Sequence, residues 1–147
     1  MPDPKTVKRA RDDARRGKSA STQAGEFVRE EMEHIRQGKH GARSAKQAIA
    51  IGLSKARRAG VELPPPKRGT TSETTRRRAE RELETPPHEP SPRRSRAMQR
   101  RLEHEGRSAA SPRALSRQAK AAARKRTPAQ RSAAARKAAR TRARRRS

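Results

Sequence analysis

The side chains of this chain that are suited to chemistry fall in one short stretch: Glu26, Glu30, Glu33, His34, His40 and the loop Gly38-Lys39-His40-Gly41-Ala42-Arg43. Clustered carboxylates suggest acid–base work or a metal site. At helical spacing, Glu26, Glu30 and Glu33 line one face of a polar helix, and they read as a solvated face that screens the cations nearby. His34 and His40 are six residues apart with no third ligand in sequence, so they read as surface histidines rather than metal ligands. The loop joins two glycines and two cations, a composition that suits a phosphate. Its spacing is not that of Gly, four residues, then Gly-Lys-Ser/Thr, and it reads as a flexible turn. There is no cysteine, no nucleophile–histidine arrangement and too little apolar material to wall off a pocket. The expectation is therefore a protein that is not an enzyme, with no cofactor and no metal.

What remains is charge. The 147 residues hold 41 Lys and Arg against 15 Asp and Glu, a formal charge of +26, with 28% hydrophobic residues and Phe27 as the one aromatic. Residues 1–63 carry 15 basic and 8 acidic residues; residues 64–147 carry 26 and 7. From Arg107 onward there are 15 basic residues and no acidic one. Such a block repels itself and calls for a polyanion, nucleic acid first and an anionic membrane surface second. The basic run lacks the large apolar face of an interfacial helix, so a membrane partner is not expected. The candidate nucleic-acid contacts are Lys39, Arg43, Lys46, Lys55, Arg57 and Arg58 in the first part, then Arg93, Arg94, Arg113, Arg117, Lys120, Arg124, Lys125 and Arg126. Arg131, Arg136, Lys137, Arg140, Arg142, Arg144, Arg145 and Arg146 complete the set. No apolar run approaches the roughly 20 residues of a membrane span, and the N-terminus lacks a signal peptide's apolar core. A cytoplasmic place, on the nucleoid, is expected.

Three helices must position the first group. Asp3, Pro4 and Gly17 bound a short helix at residues 3–17. A second runs from Ser21 or Thr22 to Gln37, with Ala24, Phe27, Val28, Met32 and Ile35 on one arc. The third is the centre of the chain. Ser44 and Gln47 open it as a capping box, and Gly60 with Val61 closes it. Ala45, Ala48, Ile49, Gly52, Leu53, Ala56 and Ala59 share one arc of mostly small residues, across which a neighbour can come close. Ile51 alone falls among the basic positions, and burial worth roughly 1.5–3 kcal/mol predicts that something covers it. A six-residue connection between the second and third helices is long for a helix-turn-helix.

Pro64-Pro65-Pro66 ends this head. Residues 64–96 read as a linker rich in Pro, Ser, Thr, Arg and Glu, with a transient helix at Glu73–Glu84. A second candidate helix spans Arg94–Glu105. Residues 97–147 form an Ala/Arg/Lys-rich tail. Ser91-Pro92, Ser111-Pro112 and Thr127-Pro128 each open a basic run with a helix-start signal. Those runs have helix-forming residues and no apolar stripe. The fold class expected is mostly α: a small N-terminal domain of two to three helices over 1–63, then a largely disordered, conditionally helical basic tail.

The segment Ser19–Gly60, above all Gly38–Ser44 and Lys46-Gln47-Ala48-Ile49-Ala50-Ile51-Gly52-Leu53-Ser54-Lys55-Ala56-Arg57, resembles a family of small bacterial proteins of unknown function. That family carries a Lys-Gln-Ala-Ile-Ala-Ile-x-Leu-Ser-x-Ala-Arg core. The resemblance implies bacterial origin, a small helical domain and, for some members, a DNA-binding label without a defined mechanism. It brings no catalytic residues. The tail resembles those of linker histones and some bacterial histone-like proteins in composition, and Ser91-Pro92-Arg93-Arg94 resembles their minor-groove element.

Together these features point to an accessory protein that binds DNA without sequence preference, histone-like, through the basic tail. An RNA- or ribosome-associated protein is the alternative, disfavoured as a base reader because bases would have almost no aromatic side chain to stack on. A helical adaptor for a protein partner is the third, with the head open to self-association.

Overall fold

A computed structural model describes residues 2–146, and seven α-helices lie within them: α1 Pro4–Arg15, α2 Ala20–Arg36, α3 Ala45–Arg58, α4 Glu73–Glu84, α5 Pro92–Glu103, α6 Pro112–Arg124 and α7 Pro128–Arg146. A 3-10 turn at Ser108–Ala110 precedes α6. No helix among the described residues is long and apolar enough to cross a membrane. The backbone falls into two compact units, Met1–Leu115 and Ser116–Ser147.

Local signals set the helix ends. Asp3 Oδ1 accepts from the Lys5 amide at 2.7 Å, Ser19 Oγ from Thr22, and Ser44 Oγ from Gln47 at 3.1 Å. Each satisfies a donor that the first turn leaves orphaned. The Gln47 side chain reaches back to the Arg43 amide at 2.7 Å, one residue before the cap. At the other end of α3, Val61 N–H donates to Ala56 O and Gly60 N–H to Arg57 O, both at 3.0 Å. This is the Schellman arrangement, and it needs the left-handed φ of +102° that Gly60 adopts.

In the first unit α2 is the central helix, packed on α1 and on α3. Its apolar arc is shared between two clusters. Phe27 and Ala24 meet Ala10, Ala56, Val61 and Leu63 in one. Met32 and Ile35 meet Ala42, Ala48, Ala109 and Ala110 in the other, with Leu115 against them. The core is therefore not limited to the first 63 residues. The turn at Ser108–Ala110 and the start of α6 complete it, and Arg36 Nε donates to Ala110 O at 3.1 Å. With few large side chains available, a chain this basic builds its core from alanines that let backbones come close.

Residues 64–96 hold structure as well. Helix α4 packs on α3, burying Ala79. Ser54 and Arg58 of α3 bond Glu82 of α4. Ile51 lies one turn before Ser54 on the same stripe of α3 and is half-buried.

The expectation of a largely disordered tail is overturned. Helices run through the whole chain and account for 70% of it, α6 and α7 included. Ser91, Ser111 and Thr127, the helix-start signals of the basic runs, act as caps in the fold. Ser91 Oγ accepts from Arg94 N–H, and Ser111 Oγ accepts from Ala114 N–H. Thr127 and Gln130 form a reciprocal box, each backbone amide donating to the other's side chain at 3.0 and 3.2 Å. Runs of alanine and arginine, both strong helix formers, do the rest.

Candidate nucleic-acid interface and a buried polar cluster

The basic candidates separate by what their charge already meets. In α3, Arg57 is buried, with Nε donating to Leu63 O at 3.2 Å and Nη2 to Pro64 O at 3.0 Å. Burial pushes its guanidinium below the ordinary arginine value, opposed by Glu82. Arg57 ties the end of α3 to the chain that leaves it. Lys55 Nζ bonds Glu31, and Arg58 is held by Ser54 at 3.0 Å and by Glu82. These three cations are engaged within the fold. Lys39, Arg43 and Lys46 are exposed around the loop and the first turn of α3.

The Gly41 and Ala42 amides of the loop are not free to cradle a phosphate. The Gly41 amide donates to Leu102 O in the last turn of α5 at 2.8 Å, and the Ala42 amide to Gly106 O just past that helix at 3.0 Å. Arg93 and Arg94 are exposed in the first turn of α5, where Ser91-Pro92-Arg93-Arg94 is a helix start rather than an extended strip.

Sequence patterning missed one basic feature of this unit. A groove of about 680 Å³ runs beside α1 and the end of α3. Lys8, Arg11, Arg15, Lys55, Arg58 and His88 line it, with Asp12 and Glu89 as its carboxylates. Only Lys55 and Arg58 were candidates. The signal was present in the i, i+3, i+7 spacing of Lys8, Arg11 and Arg15, which puts them on one face of α1.

In the second unit every basic residue from Arg117 to Arg146 is exposed. Arg117, Lys120 and Arg124 sit on α6, and Lys125 and Arg126 lie between α6 and α7. Arg131, Arg136, Lys137, Arg140, Arg142, Arg144, Arg145 and Arg146 sit on α7. At 100° per residue the α7 cations point to all sides of the helix. No residue of α7 is buried, and it has no large apolar side chain. Arg113, in the first turn of α6, is exposed in the first unit.

The carboxylates and histidines behave differently from a solvated face. Glu26 pairs with Arg9 at 2.6 Å, and Glu33 is half-exposed beside Arg29. Glu30 and Glu31 are buried, at 4% and 0% exposure. Glu30 Oε1 accepts the Asp3 amide at 2.7 Å and lies 3.6 Å from His34 Nε2. His40 is buried, so it is not a surface histidine, and its ring stands edge-on to that of His34, centroids 6.1 Å apart. Burial disfavours the charged form of His34 and lowers its pKa, against the pull of Glu31 and Glu30. The third partner absent from a simple count of histidines is Glu31, three residues before His34 on the same face of α2. Its signal was the Glu-x-x-His spacing.

Residues 5–68, which span α1 to α3, match the model of a family of unknown function (DUF6496). No curated protein and no solved structure matches the chain.

Proposed function

We propose that this protein is an accessory factor that grips the nucleic-acid backbone, DNA before RNA, with the exposed cations of its C-terminal helices. The observation that carries this reading is α7, whose 19 residues hold eight Arg and Lys, no acid and no buried side chain. A helix of this kind has no surface with which to enter a core or a dry protein interface. Phosphates both neutralise it and release counterions, which is the main driving force for sequence-independent binding. Arginine, which dominates here, suits phosphate forks and narrow minor grooves. A chain whose single Phe, Tyr or Trp, Phe27, is buried offers bases no large aromatic ring to stack on, and this argues for backbone binding.

The likeness of Lys46–Arg57 to small bacterial proteins, and of the tail to histone-like tails, supports a bacterial, nucleoid-associated role. Head and tail divide the work in this reading. The exposed cations Lys39, Arg43 and Lys46 add phosphate contacts, while Lys55, Arg57 and Arg58 hold the fold.

The test is a salt titration of duplex binding by the full chain and by a variant with Arg131, Arg136, Lys137 and Arg140 all changed to Gln. With eight to ten phosphate contacts, affinity falls about 10³- to 10⁵-fold between 50 and 200 mM salt. The variant's log–log slope is shallower by about 0.9 for each contact removed. A slope near zero for the unaltered chain overturns the proposal.

A further inference from the structure

The buried polar cluster of the first unit has no part in backbone binding, and its chemistry points elsewhere. Glu31 and His34 stand one turn apart on α2, and His40 reaches them from the loop before α3. One ligand atom from each lies within 4.8 Å of the others. Glu31 Oε1 takes the Lys55 ammonium, while Oε2 is buried with no hydrogen-bond partner. A buried carboxylate oxygen left unpaired is costly.

What Oε2 faces is His40 Nε2, at 3.2 Å. On the far side of that ring, Nδ1 lies 2.9 Å from the Gly41 carbonyl oxygen. Only a protonated Nδ1 makes that contact favourable, because a carbonyl has no proton to give. In the neutral ring the lone pair then sits on Nε2, so nitrogen and carboxylate lone pairs confront each other in a buried space. A proton on Nε2 would satisfy Oε2 at this distance if it were aligned, but no hydrogen bond forms there. A cation between the two resolves the conflict.

We propose that Glu31, His34 and His40 bind one divalent transition-metal ion, zinc before others. Two imidazoles and a carboxylate form a mixed nitrogen–oxygen set that suits zinc, whereas calcium and magnesium demand oxygen. Bonds of 2.0–2.2 Å at tetrahedral angles place ligand atoms about 3.4 Å apart. Glu31 Oε2 and His40 Nε2, 3.2 Å apart, are already close to that separation, and a turn of the His34 side chain would bring in the third ligand. His34, whose ring is partly exposed, brings an imidazole nitrogen to within 4.8 Å of the other two ligand atoms. The Gly41 carbonyl orients His40 as outer partners of metal-bound histidines do. Lys55 restricts Glu31 to one oxygen, and its charge opposes the incoming ion, so affinity is moderate. The ion would clamp α2 to the loop, which the Gly41 and Ala42 amides already fasten to the end of α5 and the residues after it.

The test is a titration of the full chain, freed of metal, with Zn²⁺ by calorimetry and with Co²⁺ by visible absorption. The expected result is one ion per chain, an intense tetrahedral-type Co²⁺ band and a thermal midpoint that rises with Zn²⁺ by mass action. His34→Gln and His40→Gln each lower Zn²⁺ affinity by about 100-fold or more, beyond the loss typical of an outer-shell partner, and abolish the band. His88→Gln and His104→Gln change neither. If His40→Gln does not fold, His34→Gln still decides, because that ring is partly exposed. Failure to bind one ion per chain, or binding that survives the His34 change, overturns the proposal. The nucleic-acid reading is tested by the salt slope and stands or falls separately.

Discussion

Gly52 of α3 lies so close to Val28 of α2 that a β-carbon at position 52 would sit 2.7 Å from the Val28 Cα and 2.9 Å from its backbone nitrogen. The close contact of the two central helices depends on that missing methyl group. The obstacle is backbone on the facing helix, so no rotamer change relieves it.

Gly52→Ala is therefore destabilising, although alanine is the better helix former by up to about 1 kcal/mol. Overpacking of a filled core costs about 1–3 kcal/mol, and rigid backbone on the far side puts this site at the upper end. Urea unfolding of Gly52→Ala against Ala50→Gly, an exposed position on the same helix, reads the difference. A Gly52→Ala chain as stable as the unaltered one would mean that the two helices do not approach this closely.

Gly41 makes the corresponding contact on the loop side. A β-carbon there would meet the Glu105 carbonyl oxygen at 2.0 Å and the Gly106 oxygen at 2.5 Å. Gly41→Ala forces the loop away from the end of α5 and strains the hydrogen bonds that the Gly41 and Ala42 amides donate. The expected loss is about 2 kcal/mol or more, from overpacking and two strained hydrogen bonds. Hydrogen exchange localises it: the Gly41 and Ala42 amides lose protection, while amides in the middle of α2 keep theirs.

Arg57 separates the cations that hold the fold from those proposed to bind phosphate. Arg57→Ala leaves the Leu63 and Pro64 carbonyls without their donors in a partly buried place. Hydrogen bonds to a charged group contribute about 1.5–3 kcal/mol, which sets the expected cost. Arg57→Lys recovers little, since an ammonium cannot reproduce the fork that reaches two carbonyls. Lys46→Ala, at an exposed position, changes stability by less than about 0.5 kcal/mol. Thermal unfolding ranks the three. DNA affinity falls with Lys46→Ala and, at temperatures where both fold, is unaffected by Arg57→Lys.

Much of this architecture can be read from the chain. Asp3, Ser44 and Thr127 announce helix starts because capping is a local interaction, complete within four residues, whereas the start of α2 lies at Ser19 and not at the expected Ser21 or Thr22. Gly60 with Val61 announces an end for the same reason. The small-residue arc of α3 foretells a close neighbour. What the sequence hides is non-local. Nothing near Ala109 or Ala110 says that they enter the core beside Ile35, 74 residues away from the latter in the case of Ala109. Arg57 stands among basic neighbours that look alike in sequence, and only the fold shows that it alone is buried. The cluster at Glu31, His34 and His40 was half visible as two histidines. Its third member hid among four glutamates on one helix, where spacing alone does not say which carboxylate is buried.

The tail is where composition misleads, since high charge and low hydropathy describe disorder and an exposed alanine–arginine helix equally well. Helix α7 has no buried residue, so no core packing holds it and local terms dominate. The Thr127–Gln130 box and the cations of its last turn, which face the negative end of the dipole, stabilise it. Repulsion between like charges at i, i+4, such as Arg136 with Arg140, opposes it by about 0.2–0.5 kcal/mol per pair. Salt screens that repulsion, with a Debye length of about 10 Å at 0.1 M falling to about 3 Å at 1 M. Helicity of α7 should therefore rise as salt rises, while affinity for a polyanion falls. Thr127→Ala removes one side of the box and costs the helix about 1 kcal/mol, with the largest effect at low salt. Circular dichroism of the full chain and of Thr127→Ala across a salt series checks both statements. Helicity that declines with salt would mean that attraction, not repulsion, dominates among the charges around α7.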